Sequence, residues 1–268
     1  MIELAVGTIV VFSDIACAWA HVAVHRLHRT RARLGLQERA MLDLRAFPLE
    51  VFNERATPKL VLDAEIPVAG ALEPQAGWQM WQRDAHDYPV TTLLALEAVQ
   101  AAKDQGFEAA EKLDRALRVA LFGQSRNISM RHEILDVASR CEGLDLDALE
   151  KRLDDGVARR TVLDQCAQAR SEVKGSPHVF LPDGSNEHNP GVKLHWEGTH
   201  GRGFPYVDRD DPRALRGPAA ARRRLGERRW NRESCATMPG PTQRPCRGGT
   251  CGARRPTSPA RRRGRHRL

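Results

Sequence analysis

Cys17 is the residue of this sequence best placed for covalent chemistry. It follows Ser13 and Asp14, which are turn and capping residues, and it precedes a segment with helical periodicity. A helix N-terminus favours the thiolate, because unpaired backbone N–H groups and the helix dipole stabilise negative charge. The thiolate is the form that attacks disulfides. We therefore predict that Cys17 is a nucleophile; the alternative is a buried structural cysteine left from a lost site.

A strand, a helix and a second strand must position this cysteine. Residues 9–12 form a β-branched apolar run that is long enough for a buried strand and too short for a core helix. Residues 18–34 have a one-sided helical pattern, and Gly35 follows as a C-cap glycine. Residues 38–47 alternate polar and apolar side chains before Pro48. A crossover of this length predicts parallel strands with a right-handed connection.

Three histidines of the predicted helix, His21, His25 and His28, lie among arginines. We interpret them as part of a solvated basic face, because histidines at these spacings lack a carboxylate or cysteine partner for a metal. We accordingly predict no metal site. His21 lies one turn beyond Cys17, where it would either stabilise the thiolate or be solvated.

The middle of the chain divides into a loop and a helical block. Residues 58–89 contain several prolines and glycines, Pro67 among them, which indicates a long surface loop with one short helical turn. Residues 91–170 are predicted to be an all-α insertion, with glycine and serine residues marking the helix boundaries. The predicted segments are 91–105, 107–122, 130–141 and 145–170.

A short strand follows the helices. Residues 178–181 are apolar, are preceded by Gly175, Ser176 and Pro177, and end in a Pro-Asp-Gly turn. A second strand at residues 191–196 is expected to pair antiparallel with the first. Pro177 is permissible at a strand's first position, where it need not donate a hydrogen bond.

The composition indicates a globular protein with a basic C-terminal region. No stretch approaches the roughly 18–20 apolar residues of a membrane span, and six cysteines in 268 residues do not resemble a disulfide-rich scaffold. The N-terminus lacks the features of a signal peptide, so the expected location is the cytoplasm. Cys141 and Cys166 fall in predicted helices without a basic surround, and we expect them to be structural.

The charge is divided along the chain. Residues 213–268 hold 17 arginines, no lysine and two glutamates, a net charge of +15, whereas residues 1–212 have a net charge of −7. Few large apolar residues occur beyond 213, so this tail is predicted to be disordered, and its last three cysteines lack the spacing of a metal site. The arginines would allow weak, non-specific nucleic-acid binding. A shifted reading frame in GC-rich coding sequence would explain the same composition.

The order of these features resembles the DsbA-like branch of the thioredoxin superfamily, over about residues 8–211. The resemblance is most specific at Ser13-Asp14-Ile15-Ala16-Cys17-Ala18-Trp19-Ala20, where cytoplasmic polyketide-associated members have an acidic residue followed by Cys-Pro-Trp-Cys, and at Lys174-Gly175-Ser176-Pro177, which matches a cis-proline loop. It implies an α/β thioredoxin fold with a large all-α insertion in residues 1–212, followed by the tail. It also implies that Cys17 is catalytic and that Trp19, His21, Ser176 and Pro177 contact substrate.

The sequence departs from this family at the resolving position. Ala20 stands where the second cysteine would be, and Ala18 replaces the proline. Dithiol turnover is therefore not expected, and the resemblance implies one-cysteine chemistry with glutathione or another small thiol or disulfide as co-substrate, without a bound cofactor. Two alternatives are a glutathione-dependent isomerase or transferase, and a thioredoxin-fold module that binds a ligand without catalysis.

Overall fold

Two parallel strands and the helix between them hold Cys17 in the computed structural model, which describes residue 2 and residues 4–216. Strand β1 (Thr8–Ser13) leads into helix α1 (Ala18–Arg33), which returns the chain to strand β2 (Met41–Ala46). The strands pair in parallel from Thr8 opposite Met41 to Ser13 opposite Ala46. The predicted strand–helix–strand unit is confirmed.

The other side of β1 receives a short antiparallel strand. Strand β3 (His178–Phe180) lies between β1 and strand β4 (Asn186–His188), which gives the sheet order β2-β1-β3-β4. The predicted pairing of residues 178–181 with 191–196 is wrong. A tight turn, in which Gly184 has φ +83°, brings the chain directly back along β3, so β4 takes the neighbouring place.

The second predicted strand belongs to a separate hairpin. Strand β5 (Val192–Glu197) pairs antiparallel with strand β6 (Phe204–Asp210). At its start Gly191 has φ +76°, and a Cβ there would lie 2.2 Å from the carbonyl oxygen of Asp211. The chain therefore turns away from the main sheet at a position that only glycine fits.

The predicted loop at residues 58–89 is wrong over its first half. Helix α2 (Leu49–Phe52) is followed by helix α3 (Lys59–Leu72), which contains Pro67. Burial of Val61, Leu62, Ile66 and Ala69 along one face outweighs the hydrogen bond that the proline cannot donate. Two short 3-10 turns and irregular chain make up the rest of the segment.

Five helices form the predicted insertion, and the thioredoxin-type α/β fold is confirmed. The segment predicted at 145–170 is two helices, because Gly156 adopts φ +73° between them. Cys166 is buried and Cys141 is half-buried. Within residues 4–216 no helix combines the length and apolarity that crossing a bilayer requires. The helices are α4 (Leu93–Ala102), α5 (Phe107–Gln124), α6 (Arg131–Ala138), α7 (Leu146–Asp154) and α8 (Val157–Glu172).

Side chains of these helices occupy the outer edge of β2. The backbone N–H groups of Leu42 and Ala46 donate to Glu111 and Gln165, and the carbonyl oxygen of Leu44 accepts from Gln100. These three residues alternate along the strand on the side away from β1. The groups that another strand would pair with are thus bonded to helical side chains.

The interpretation of the basic residues of α1 as a solvated face is wrong for His21 and Arg26, which are buried, whereas Arg29 and Arg33 are exposed. Arg26 is 1% exposed and pairs with Glu73 at 2.6 Å and Asp210 at 2.7 Å. Arg31 pairs with Glu111. The acidic partners come from distant segments, which is why helical periodicity alone did not show them. The division at residue 212 stays a prediction, and nearly all of the predicted disordered tail, with its three cysteines, lies outside the described residues.

Candidate functional site

Cys17 is the N-cap residue of α1, as its sequence context predicted. Its Sγ accepts from the backbone N–H of Ala20 at 3.4 Å and donates to the carbonyl oxygen of Ser176 at 3.2 Å. The residue is 5% exposed. A sulfur that both donates and accepts is a neutral thiol, which is the form this arrangement holds.

The Ser176–Pro177 loop lies against the cysteine. The peptide bond between the two residues is cis, and both are buried. The Ser176 hydroxyl accepts from the N–H of Asp14 at 2.9 Å, and the Pro177 carbonyl oxygen accepts from Asn189 at 3.0 Å. The structure therefore brings Cys17, Ser176 and Pro177 together from opposite ends of the domain.

A buried arginine supports the chain just before Cys17. Arg118 is fully buried on α5 and donates to the carbonyl oxygen of Asp14 at 2.9 Å and to the hydroxyl of Ser13 at 2.8 Å. Its charge is paired with Asp114 at 2.8 Å. Sequence reasoning missed this residue, although an Asp and an Arg four residues apart on a largely apolar helical face were a usable signal.

The Asp14 carboxyl joins the cysteine loop to two helices. It accepts from the backbone N–H of Ala16 at 2.8 Å, from that of Leu49 at 2.7 Å, and from the Thr92 hydroxyl at 3.2 Å. Burial raises the pKa of Asp14 against the effect of these hydrogen bonds. Asp14 therefore fixes the position of the cysteine loop against the starts of α2 and α4, in addition to forming the turn after β1.

Trp19 forms a hydrogen bond with a buried acid, Glu65, that the sequence did not place near the site. Its Nε1 donates to Glu65 of α3 at 2.8 Å, and both residues are buried. Burial raises the pKa of Glu65 to about 7, with the Trp19 hydrogen bond acting in the opposite direction. Because α3 was predicted as loop, nothing in the sequence placed this carboxyl beside the first turn of α1.

His21 lies in the core. Its Nε2 donates to the carbonyl oxygen of Ala76 at 3.0 Å, and its ring stacks on Phe122 with centroids 5.0 Å apart and meets Trp78 edge-on. Burial, with the nearby Arg118 charge, lowers the pKa of His21 to about 3. The ring is buried and neutral. Both predictions for His21 are therefore wrong: it is not solvated, and it carries no positive charge that could stabilise the Cys17 thiolate.

The surroundings of Cys17 oppose its ionisation. Burial raises the pKa of the Cys17 thiol to about 12, and the negative charges of Glu65 and Asp14 add to the effect. The hydrogen bonds to Ser176 and Ala20 act in the other direction but are outweighed. The expectation that the helix N-terminus stabilises a thiolate is wrong for this conformation, because burial and two acids dominate.

A family model for the DSBA-like thioredoxin domain matches residues 8–198 of the chain. The matched range begins with β1 and ends just after β5, so it contains the cysteine loop, the helices and the Ser176–Pro177 loop. The search of curated protein sequences found no match.

Solved structures share this fold at low sequence identity. Cytosolic disulfide reductase DsbM from Pseudomonas aeruginosa with GSH has a TM-score of 0.52 at 17% identity, over 67% of this chain and 88% of that one. A probable DsbA oxidoreductase from Streptomyces coelicolor has a TM-score of 0.52 at 22% identity, over 67% of this chain and 82% of that one. A 2-hydroxychromene-2-carboxylate isomerase has a TM-score of 0.53 at 14% identity, over 84% of this chain and 98% of that one.

Proposed function

The chain belongs to the DSBA-like thioredoxin domain family, and from that premise we propose that it catalyses thiol–disulfide exchange through Cys17 alone, with glutathione as the second thiol. The observation that carries the proposal is the 3.2 Å contact between the Cys17 sulfur and the carbonyl oxygen of Ser176. It sets a thiol at a helix N-terminus beside a backbone segment that a disulfide-bearing substrate would also approach.

The absence of a second cysteine at position 20 determines the reaction sequence. The Cys17 thiol first loses its proton to the solvent. The thiolate then attacks the glutathione sulfur of a mixed disulfide, RS–SG, forming Cys17–S–SG and releasing RS⁻, which takes up a proton from the solvent. A second glutathione thiolate then attacks this adduct at the glutathione sulfur. The products are oxidised glutathione and the free Cys17 thiolate, so sulfur atoms and electrons balance.

The choice of glutathione is supported by chemistry and by similarity. A one-cysteine site needs an external thiol to complete a cycle. DsbM, which shares the fold, is a cytosolic disulfide reductase and has a structure with GSH. A cytosolic location, where glutathione is plentiful, is part of the proposal. Trp19, Ser176 and Pro177 are proposed to contact the substrate; His21 is proposed to support the site only through the core.

The proposal is tested by mass spectrometry of the full chain after incubation with oxidised glutathione. We expect one glutathione adduct on Cys17, located by peptide mapping, and its removal by reduced glutathione. Cys17→Ser should abolish this adduct, and Cys166→Ser should leave it unchanged, because Cys166 lies in the helical block. Turnover is measured with a glutathionylated peptide in a coupled assay.

A non-catalytic binding module is the second candidate. The 5% exposure and raised pKa of Cys17 favour it, because a thiol of this kind is unreactive. Wild-type protein that forms no adduct on Cys17 and does not turn over the peptide would refute the enzymatic proposal in favour of this module. An adduct without disulfide turnover would point instead to glutathione-dependent isomerase or transferase chemistry.

A further inference from the structure

Glu65 differs from the other buried acids in the described part of the chain. Its only hydrogen bond there is the one from Trp19 Nε1 at 2.8 Å, and it forms no ion pair with any residue described. Asp14, the other buried acid without a salt bridge, accepts three hydrogen bonds. The buried acids that have a cationic partner are Asp43, Glu73, Glu97, Glu111 and Asp114.

A buried carboxyl with so little compensation needs an explanation. Leaving it charged costs free energy, because no cation and only one donor offset the loss of solvent. An apolar side chain at this position of α3 would pack without that cost. The retained acid therefore suggests a role in the site that Trp19 belongs to.

The position of Glu65 suggests that role. Trp19 follows Cys17 by two residues in the first turn of α1, and its indole fixes the carboxyl on that side of α3. The negative charge of Glu65 is, after burial, the largest influence opposing ionisation of Cys17. Burial also raises the pKa of Glu65 to about 7, so its charge changes near neutrality.

We propose that Glu65, held by Trp19, modulates the nucleophilicity of Cys17: the thiolate forms more readily when Glu65 is uncharged and less readily when it is charged. Glu65 is a positioning residue in this scheme, because it acts through its field and need not touch the substrate. The inference rests on the proposed function, in which Cys17 is the reacting group.

Three other titratable groups face the pair. Burial also raises the pKa of Asp14, but its carboxyl accepts three hydrogen bonds and lies near the Arg118 charge, which oppose the shift. Asp63, on α3, is paired with Lys59 at 2.7 Å. The pKa of Tyr88 is raised by burial and by the charges of Asp63, Asp14 and Glu65, so this phenol remains protonated. Of these three carboxyls, Glu65 is the one with a single hydrogen bond and no ion pair among the residues described.

The test measures the rate constant for alkylation of Cys17 by iodoacetamide from pH 6 to pH 10 in the full chain, with peptide mapping to separate it from the other cysteines. Glu65→Gln keeps an oxygen that accepts from Trp19 and removes the charge. Because this range lies below the Cys17 pKa, the rate constant follows the small thiolate fraction, and we expect it to rise about tenfold at pH 8. The matched control is Asp63→Asn, which removes an ion-paired charge from the same helix and should leave the rate constant unchanged.

Wild-type protein supplies a second readout that needs no variant. A plot of the logarithm of its alkylation rate constant against pH should depart from a straight line, with an inflection near pH 7 where Glu65 ionises. A straight line for wild type, or a rate constant in Glu65→Gln equal to that of wild type, would overturn the inference. Glutathione turnover that persists beside an unchanged rate constant would leave the proposed function standing. A raised rate constant without a glutathione adduct would refute the proposed function and not this inference.

Discussion

The sulfur of Cys17 lies 3.2 Å from the carbonyl oxygen of Ser176, although the two residues are 159 positions apart in the chain. The contact is to the backbone, so it does not depend on the side chain at position 176. The Ser176 hydroxyl has a separate task, which is to accept from the buried N–H of Asp14. The two halves of the site are joined by both contacts.

Ser176→Ala tests the second contact. It leaves the buried N–H of Asp14 without an acceptor, and we expect the free energy of unfolding in urea to fall by about 1–3 kcal/mol. The control is Ser139→Ala, whose hydroxyl bonds an exposed carbonyl oxygen and whose loss should cost under about 0.5 kcal/mol. Equal stabilities for the two variants would contradict the assignment.

Arg118→Met tests the support beneath the cysteine loop. It leaves Asp114 charged and buried without a partner, and we expect a loss of about 3–5 kcal/mol of stability. The double variant Arg118→Met, Asp114→Leu removes both charges and should be more stable than the single variant. The single variant Asp114→Leu completes the cycle, and the four proteins are compared by urea unfolding; strictly additive losses would show that the pair is not coupled.

Ala20→Cys tests the geometry of the first turn of α1. The Ala20 N–H is 3.4 Å from the Cys17 sulfur, and residues three apart on a helix are neighbours, so a thiol added there can reach Cys17. After mild oxidation we expect an internal disulfide, seen as two fewer free thiols per chain and a mass lower by two hydrogen atoms. Ala23→Cys, one turn further along, should retain its free thiol. A glutathione adduct on both variants would contradict the expected geometry.

The buried histidines predict acid sensitivity. Burial lowers the pKa of His21 and of His28 to about 3, with positive neighbours adding to the effect. The unfolded chain takes up these protons below pH of about 6.5 and the folded chain does not, so stability falls as the pH falls from about 6.5 towards 3. We expect each histidine to lower the free energy of unfolding by about 1–2 kcal/mol as the pH falls from 7.5 to 5, as measured by urea unfolding at the two pH values.

His21→Phe isolates one of these contributions. A phenyl ring can keep the stacking on Phe122 while removing the titration, so the dependence of unfolding free energy on pH should become shallower than in wild type. His86→Asn is the control, because the His86 side chain is 78% exposed. Glu65 has a raised pKa, so the folded chain binds its proton more readily than the unfolded chain, and its contribution to stability rises as the pH falls from about 7 to 4.5. For this reason the variants are compared by the difference of each from wild type.

Local pattern predicted the elements nearest to Cys17, and long-range packing decided the others. The elements next to Cys17 were indicated by residues close to it in sequence: the β-branched run, the turn residues and Gly35. The structure has the strand and the helix that these residues indicate. Pro67 misled the interpretation of α3, because the burial that offsets it comes from other segments. The same limit applies to Arg118 and Glu65, whose partners near Cys17 are distant in sequence.

The ionisation states of Cys17 and His21 show most clearly what local sequence cannot predict. A thiol at a helix N-terminus and a histidine one turn later would make an activated site if both were partly solvated. The structure buries them, and burial reverses the expected ionisation of each. Burial depends on what packs over a residue, which neither the local motif nor its resemblance to a family specifies.

The bonded edge of β2 has a consequence for association. Since Glu111, Gln100 and Gln165 already satisfy Leu42, Leu44 and Ala46, an extended peptide cannot lengthen the sheet there without first displacing α4, α5 and α8. The opposite edge is β4, which is only three residues long. The four-stranded sheet thereby resists both templated aggregation and recruitment by strand addition.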